Sequence, residues 1–163
     1  MTIKTLQDLF IHDLSDIYSA ERQLSKALPR MARAATAPEL KQAFETHLEE
    51  THGQIERIDQ IVEIGSFKLK RIKCAAMEGL VEEGKEAIDE IEKGPVLDAA
   101  LIGAAQKVEH YEIASYGTLA ALAKQLGAND VAGLLVETLE EEKATDLKLS
   151  KLAAVKNPEA ATK

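Results

Sequence analysis

From Leu135 to Ala153 the apolar residues Leu135, Leu139, Leu149 and Ala153 recur at helical spacing, and two acids stand in the same stripe. Glu142 follows Leu135 by seven residues, and Asp146 precedes Ala153 by seven. At about 100° per residue, seven residues make nearly two turns, so both carboxylates aim at the core side of one helix. An ionised carboxylate alone in an apolar core costs several kcal/mol, or else stays protonated. The fold has to bring something to answer those acids.

Two other helical segments repeat the feature. From about Thr5 to Ala34 the stripe is Leu6, Phe10, Leu14, Ile17, Leu24, Leu28 and Met31, and Glu21 lies seven residues from both Leu14 and Leu28. From about Val96 to Leu126 it is Leu101, Ala104, Val108, Leu119 and Leu126. Glu112 falls in that stripe, four after Val108 and seven before Leu119, with Glu109 on its flank as a ligand or a flank acid. Three helices with core-facing acids at mid-length suit a bound cation, which neutralises converging carboxylates together and holds the helices.

A fourth segment, about Pro38 to Ile64, contains "HLEETHGQ", with Glu-x-x-His at Glu49 and His52. Its stripe is Phe44, Leu48, Ile55, Ile58 and Val62, after Leu40. Glu49 points far from it, beside Glu45 and Glu56, and His52 stands roughly a right angle away. That pair reads as a decoy. Glu50, Gln54 and His47 lie nearer the stripe and are the better candidates: Gln54 as a neighbour of the ligands, His47 as a ligand or a semi-buried histidine. Glu21 to Glu50 is 29 residues and Glu112 to Glu142 is 30, so the two halves look like copies of one plan. Tyr111 and Tyr116 read as core packing, Tyr116 alternatively as a hydrogen-bonding or redox-active neighbour. His12, His52 and His110 read as surface residues.

Punctuation divides the chain. Thr36-Ala37-Pro38-Glu39 reads as a break and a capping box, and Gly65 as a helix stop. A shorter helix spans about Cys74 to Glu92, and Gly94-Pro95 follows it. Gly127-Ala128-Asn129 closes the next helix and offers Asn129 as an N-cap for a last one, Asp130 to Val155, which Asn157-Pro158 ends. These marks predict an all-α fold, a four-helix bundle in one domain, residues 1–156, with a tail at 157–163. Hairpins at 5–64 and 95–155 are joined by a crossover at 65–94 that contains the shorter helix.

The net charge of −8 argues against a nucleic-acid partner, since such a surface repels phosphate backbones. The one dense basic run, Lys68 to Lys73, reads as solvated surface or an interaction patch. A single cysteine, Cys74, leaves no internal disulfide and no cysteine-rich metal site. No 18-residue apolar run and no signal-peptide pattern is present, which sets the expectation of no membrane and a cytoplasmic location. A homodimer is expected from the commonness of twofold oligomers.

The stretches "FIHDLSDIYSAERQL", "HLEETHGQIERI", "AAMEGL", "AAQKVEHYEIASYGTLAALA" and "ETLEEEKATDLKL" resemble the bacterial YciE/YciF group of ferritin-like proteins over nearly the whole chain. The resemblance implies a ferritin-like four-helix bundle, a role in stress responses and a di-iron or dimanganese site. The wider ferritin pattern places a His three residues after a Glu; here Gly53 follows Glu50 and Thr145 follows Glu142 at that distance. Asp146 and Gln54, one turn on, are the substitutes. The expected cofactor is two divalent metal ions, iron first and manganese second. The expected function is a di-metal oxidoreductase acting on ferrous iron, oxygen or peroxide, against metal binding without turnover or a helical interaction module. With no Cys₄ module, electrons would come from an external donor.

Overall fold

In the computed structural model, which describes residues 2–162, five α-helices follow one another. α1 (Leu6–Ala34) starts at a capping box: the Thr5 hydroxyl accepts from the Asp8 amide and Asp8 Oδ2 accepts from the Thr5 amide, both at 3.0 Å. Its stripe of Phe10, Leu14, Ile17, Leu24 and Leu28 is buried, with Glu21 among them. α2 (Pro38–Gly65), α3 (Ala75–Glu90), α4 (Pro95–Gln125) and α5 (Asn129–Ala161) complete the order. The all-α expectation agrees with this architecture.

α1 packs on α2 and α4 on α5; α1 also meets α4, α2 meets α5, and α3 lies against α1 and α4. Cross-helix bonds give the directions. Gln106 reaches Ser150 and His110 reaches Asp146, so α4 and α5 are antiparallel. Arg57 meets Glu141 while Glu50 meets Thr145, so α2 and α5 are antiparallel as well. Asp98 at the start of α4 meets Thr36 and Ala37 just past the end of α1, while Tyr111 further along α4 meets Asp16, so α1 and α4 are antiparallel too, as a crossover that returns along the bundle requires. Leucines, isoleucines and phenylalanines fill the space between the four long helices. Among the described residues no helix is long and apolar enough to cross a membrane.

Several helix ends differ from the sequence expectation. The capping box at Thr36–Glu39 does not form: Ala37 is the N-cap and has no side chain to accept a bond. Asp98, at the start of α4, does the capping instead. Its Oδ1 accepts from Thr36 N at 2.7 Å and its Oδ2 from Ala37 N at 2.9 Å, in a buried corner that ties the two hairpins. Gly65 is the last residue of α2 rather than its stop; Ser66 takes the left-handed position at φ 51°. Asn129 is the first helical residue and Ala128 the N-cap. The helix also continues through Asn157-Pro158 to Ala161. Pro158 removes one backbone donor, but Lys156, half a turn earlier, pairs with Glu39 of α2 and with Glu159, each at 3.5 Å, and holds that last turn.

Candidate metal centre

Each long helix sends at least one polar side chain into the middle of the bundle. Glu21 comes from α1, His47, Thr51 and Gln54 from α2, Glu109 and Glu112 from α4, and Glu142 from α5; all seven are buried. One ligand atom each from His47, Glu109, Glu112 and Glu142 can be chosen so that all lie within 4.8 Å of one another, and this His/Glu group could hold a metal ion. His47 Nε2 lies 3.0 Å from Glu109 Oε1, yet the two are not aligned for a hydrogen bond. Two ligand atoms aimed at a common point have that geometry.

Glu21 adjoins the group. Its Oε1 accepts from the Tyr116 hydroxyl at 2.5 Å, and its Oε2 has no donor. All four glutamate carboxyls are pushed upward. Burial raises Glu21 to about 8, with the Glu142 charge next in weight. Burial likewise raises Glu109 to about 8, and lifts Glu112 and Glu142 well above the usual carboxylate range, helped by the acids facing them. Burial beside Glu21 raises the Tyr116 hydroxyl too, so it stays a donor.

The remaining candidates stand further out. Glu50 is half-buried, and its Oε2 accepts from Thr145 at 3.0 Å. The Gln54 amide donates to Glu141 Oε2 at 3.0 Å, leaving its own Oε1 without a donor. Asp146 turns toward Gln106, at 3.4 Å, and His110, at 3.2 Å. Both Asp146 and Glu50 are near enough for their charges to raise Glu109. Glu49 and His52 are exposed, outside the group, and His110 is exposed as well.

Some contributors escaped the helical reading. Arg57 grips Glu141 with both guanidinium nitrogens, at 2.9 and 2.8 Å, and bonds Thr138 at 2.7 Å. That pair holds the acceptor of Gln54. Thr51, one turn after His47, is buried with an unpartnered hydroxyl; the i, i+4 relation to His47 was the available signal. Tyr111, expected as packing alone, also donates to Asp16 at 2.7 Å and meets the Cys74 thiol at 3.0 Å.

Residues 5–162 match the family described as "Domain of unknown function (DUF892)". Over 154 residues the chain is 67% identical to Protein YciF of Escherichia coli (strain K12), covering 94% of this chain and 93% of that one. The crystal structure of the E. coli stress protein YciF matches with a TM-score of 0.93 at 64% identity, covering 96% and 99% of the two chains. YcfI from Rhodopseudomonas palustris matches with a TM-score of 0.88 at 49% identity, covering 91% and 94%. A protein of Xanthomonas campestris pv. campestris, 22% identical over 93% and 92% of the chains, shares the fold at a TM-score of 0.73. The chain is thus a relative of YciF and belongs to the DUF892 family.

Proposed function

We propose that this chain is a di-metal oxidoreductase of bacterial stress, taking two divalent ions, iron first and manganese second, and acting on ferrous iron, oxygen or peroxide. One observation carries the reading. Every buried side-chain nitrogen or oxygen without a hydrogen-bond partner, among the described residues, belongs to Glu21, His47, Thr51, Gln54, Glu109, Glu112 or Glu142. A folded core rarely leaves such atoms unanswered, and seven of these ten belong to His47, Glu109, Glu112 and Glu142, whose ligand atoms converge. A cation satisfies them together.

Glu21, His47, Glu109, Glu112 and Glu142 would hold the ions, with Glu50 at the edge and Gln54 and Asp146 adjoining. Bound iron or manganese supplies one-electron redox change and Lewis acidity. The oxygen-rich donor set favours hard ions over softer ones. The chain's own residues prepare the place. Tyr116 holds a proton against Glu21 Oε1, fixing that carboxylate's rotamer. Glu21, His47, Glu109, Glu112 and Glu142 are themselves all but inaccessible, at most 2% exposed, so bulk water is kept from the group. Without metal, the four glutamates retain protons that metal uptake would displace.

The stress role follows the description of the E. coli relative as a stress protein. A cytoplasmic location, a homodimer and an external electron donor complete the proposal. A second reading, metal held without turnover, is favoured by the single histidine of the group, a leaner set than the paired Glu-x-x-His of active di-iron proteins.

The test is metal stoichiometry, followed by oxidant consumption. Chelator-treated protein is loaded with ferrous iron or manganese, freed of excess and counted, beside the Glu112→Ala, Glu142→Ala double variant. The expected result is about two ions per chain, lost in the variant, with rapid uptake of oxygen or peroxide by the loaded protein. Metal retained without oxidant uptake supports the second reading. No metal retained with either ion overturns both.

A further inference from the structure

A basic groove lies between α1 and the segment that leads from α2 to α3. Arg22 and Lys26 of α1 face Lys70, Arg71 and Lys73 across a space of about 730 Å³, and no acid lines it. The chain as a whole carries a net charge of −8, with 28 acidic side chains against 20 basic ones. Five cations gathered without a lining acid therefore run against the composition. Glu78 answers Lys73, and Asp8 feels the charge of Lys70; the repulsion that remains among the five is offset when an anion binds.

These cations are not needed to hold the segment down. The Ser15 hydroxyl accepts from the Lys70 amide and the Ser19 hydroxyl from the Cys74 amide, each at 3.0 Å. Gln23 adds a bond to the Cys74 carbonyl at 3.1 Å. Neutral side chains on backbone groups do the pinning, and the charged ends take no part in it. Among the described residues only Lys73 of the five forms an ion pair, with Glu78. Arg22 lies over the Tyr18 ring at 5.8 Å, and Asp59, the acid that acts on the Tyr18 hydroxyl, does not line the groove.

The geometry points to a binding site for an oligophosphate, a chain of linked phosphates either free or carried by a nucleotide. The size is that of a small-molecule site. A single monovalent anion would leave most of the five charges unanswered, whereas a triphosphate brings three or four negative charges in a row. Arg22 and Arg71 offer planar forks that match phosphate oxygens in pairs. Tyr18 and Lys26 supply further donors. This inference does not depend on the metal centre; the groove and the buried carboxylates share no lining residue.

The experiment titrates full-length, chelator-treated protein, labelled with ¹⁵N, with inorganic tripolyphosphate and separately with ATP at low salt. Amide shifts should concentrate on residues 15–26 and 68–74, and added salt should weaken binding. The Arg22→Glu, Arg71→Glu double variant, at two exposed positions, should bind at least ten-fold more weakly with an unchanged melting curve. Lys143→Glu, on the exposed face of α5, should behave as the parent. Equal affinity for both probes means that phosphate alone is read, and tighter ATP means that the nucleoside is read as well; either supports the site. Four outcomes overturn it: no binding at low salt, shifts elsewhere, full affinity in the double variant, or binding of a single-stranded oligonucleotide when tripolyphosphate fails.

Discussion

The Tyr116 hydroxyl donates to Glu21 Oε1 at 2.5 Å, joining α4 to α1 with both side chains fully buried. The bond orders one carboxylate of the group before any cation arrives, and it draws the Glu21 carboxyl downward against the rise that burial imposes. Tyr116→Phe keeps the ring and removes the donor. Leaving Glu21 Oε1 unpartnered should destabilise the metal-free protein by about 1–3 kcal/mol. Urea unfolding of the parent and the variant, both chelator-treated, checks this; equal midpoints would show that the bond contributes nothing net.

The metal-free chain should lose stability as pH rises. Glu21 and Glu109 sit at about 8 in the folded state, and Glu112 and Glu142 well above the usual range, in each case chiefly through burial. Groups whose folded pKa exceeds the unfolded one bind more protons when folded. Their contribution is complete below the unfolded value of about 4.5 and is lost as pH climbs through about 8 and beyond. The unfolding midpoint of chelator-treated protein should therefore fall steadily between about pH 5 and pH 9. Bound metal should reverse the slope, because the ligands must lose protons to bind it and uptake tightens with pH. A flat profile for the metal-free chain would mean that the four carboxyls are not protonated as a group.

The same reasoning separates charge from volume. Glu112→Gln with Glu142→Gln preserves shape and hydrogen-bonding capacity while deleting two buried ionisable groups. Near pH 8 the metal-free double variant should be more stable than the parent by about 1–3 kcal/mol, since the folded parent must keep protons on two buried carboxyls that the unfolded chain releases, and a neutral amide carries no such cost. It should also retain far less metal. A function-against-stability trade of this kind is expected where a site is built for a ligand. Loss of stability at that pH would indicate that the acids are held by partners other than a cation.

How far these features were legible in the sequence varies with the physics behind each. Glu21, Glu112 and Glu142 occupy stripe positions, and a helix of fixed pitch leaves them no direction but inward; their burial followed from arithmetic. Asp146 satisfies the same arithmetic, yet its oxygens reach Gln106 and His110 at the side of the α4–α5 seam. Helical direction is good to some tens of degrees, and a short side chain near the edge of a stripe turns either way according to its neighbours. His47 lay equally near its own stripe, and what decided its placement was the glutamate of another helix, 62 positions on. Asp98 was invisible for the same reason: its partners, Thr36 and Ala37, lie 62 and 61 residues away, and only packing brings them together. Pro158 misled because a local breaker was outweighed by the tertiary anchor at Lys156.

Asp98 makes a prediction of its own, apart from the metal. It caps the α1–α2 turn with both oxygens in a buried corner where water cannot replace them. Asp98→Ala should cost about 2–4 kcal/mol, the sum of a lost cap and two stranded amides. Asp98→Asn, which keeps one acceptor, should cost less. Thermal melts check the ranking, and metal retention below the melting range should match the parent in both. A neutral Asp98→Ala would show that the turn holds without its cap.

The last prediction concerns which side chains touch the metal. His47 is buried with Nε2 turned into the carboxylate group, whereas Asp146 is partly exposed and already engaged by His110 and Gln106. If position decides ligation, His47→Ala should weaken metal binding at least ten-fold, the order of effect seen when a coordinating or directly supporting group is removed. Asp146→Asn should change it by less than about three-fold, the change in local charge acting through screened solvent rather than through a bond. Competition titration against a chelator of known affinity reads both variants on one scale. The reverse ranking would place Asp146 on the metal, by a rotation of its side chain away from His110 on loading, and would leave His47 as a neighbour of the ligands rather than one of them.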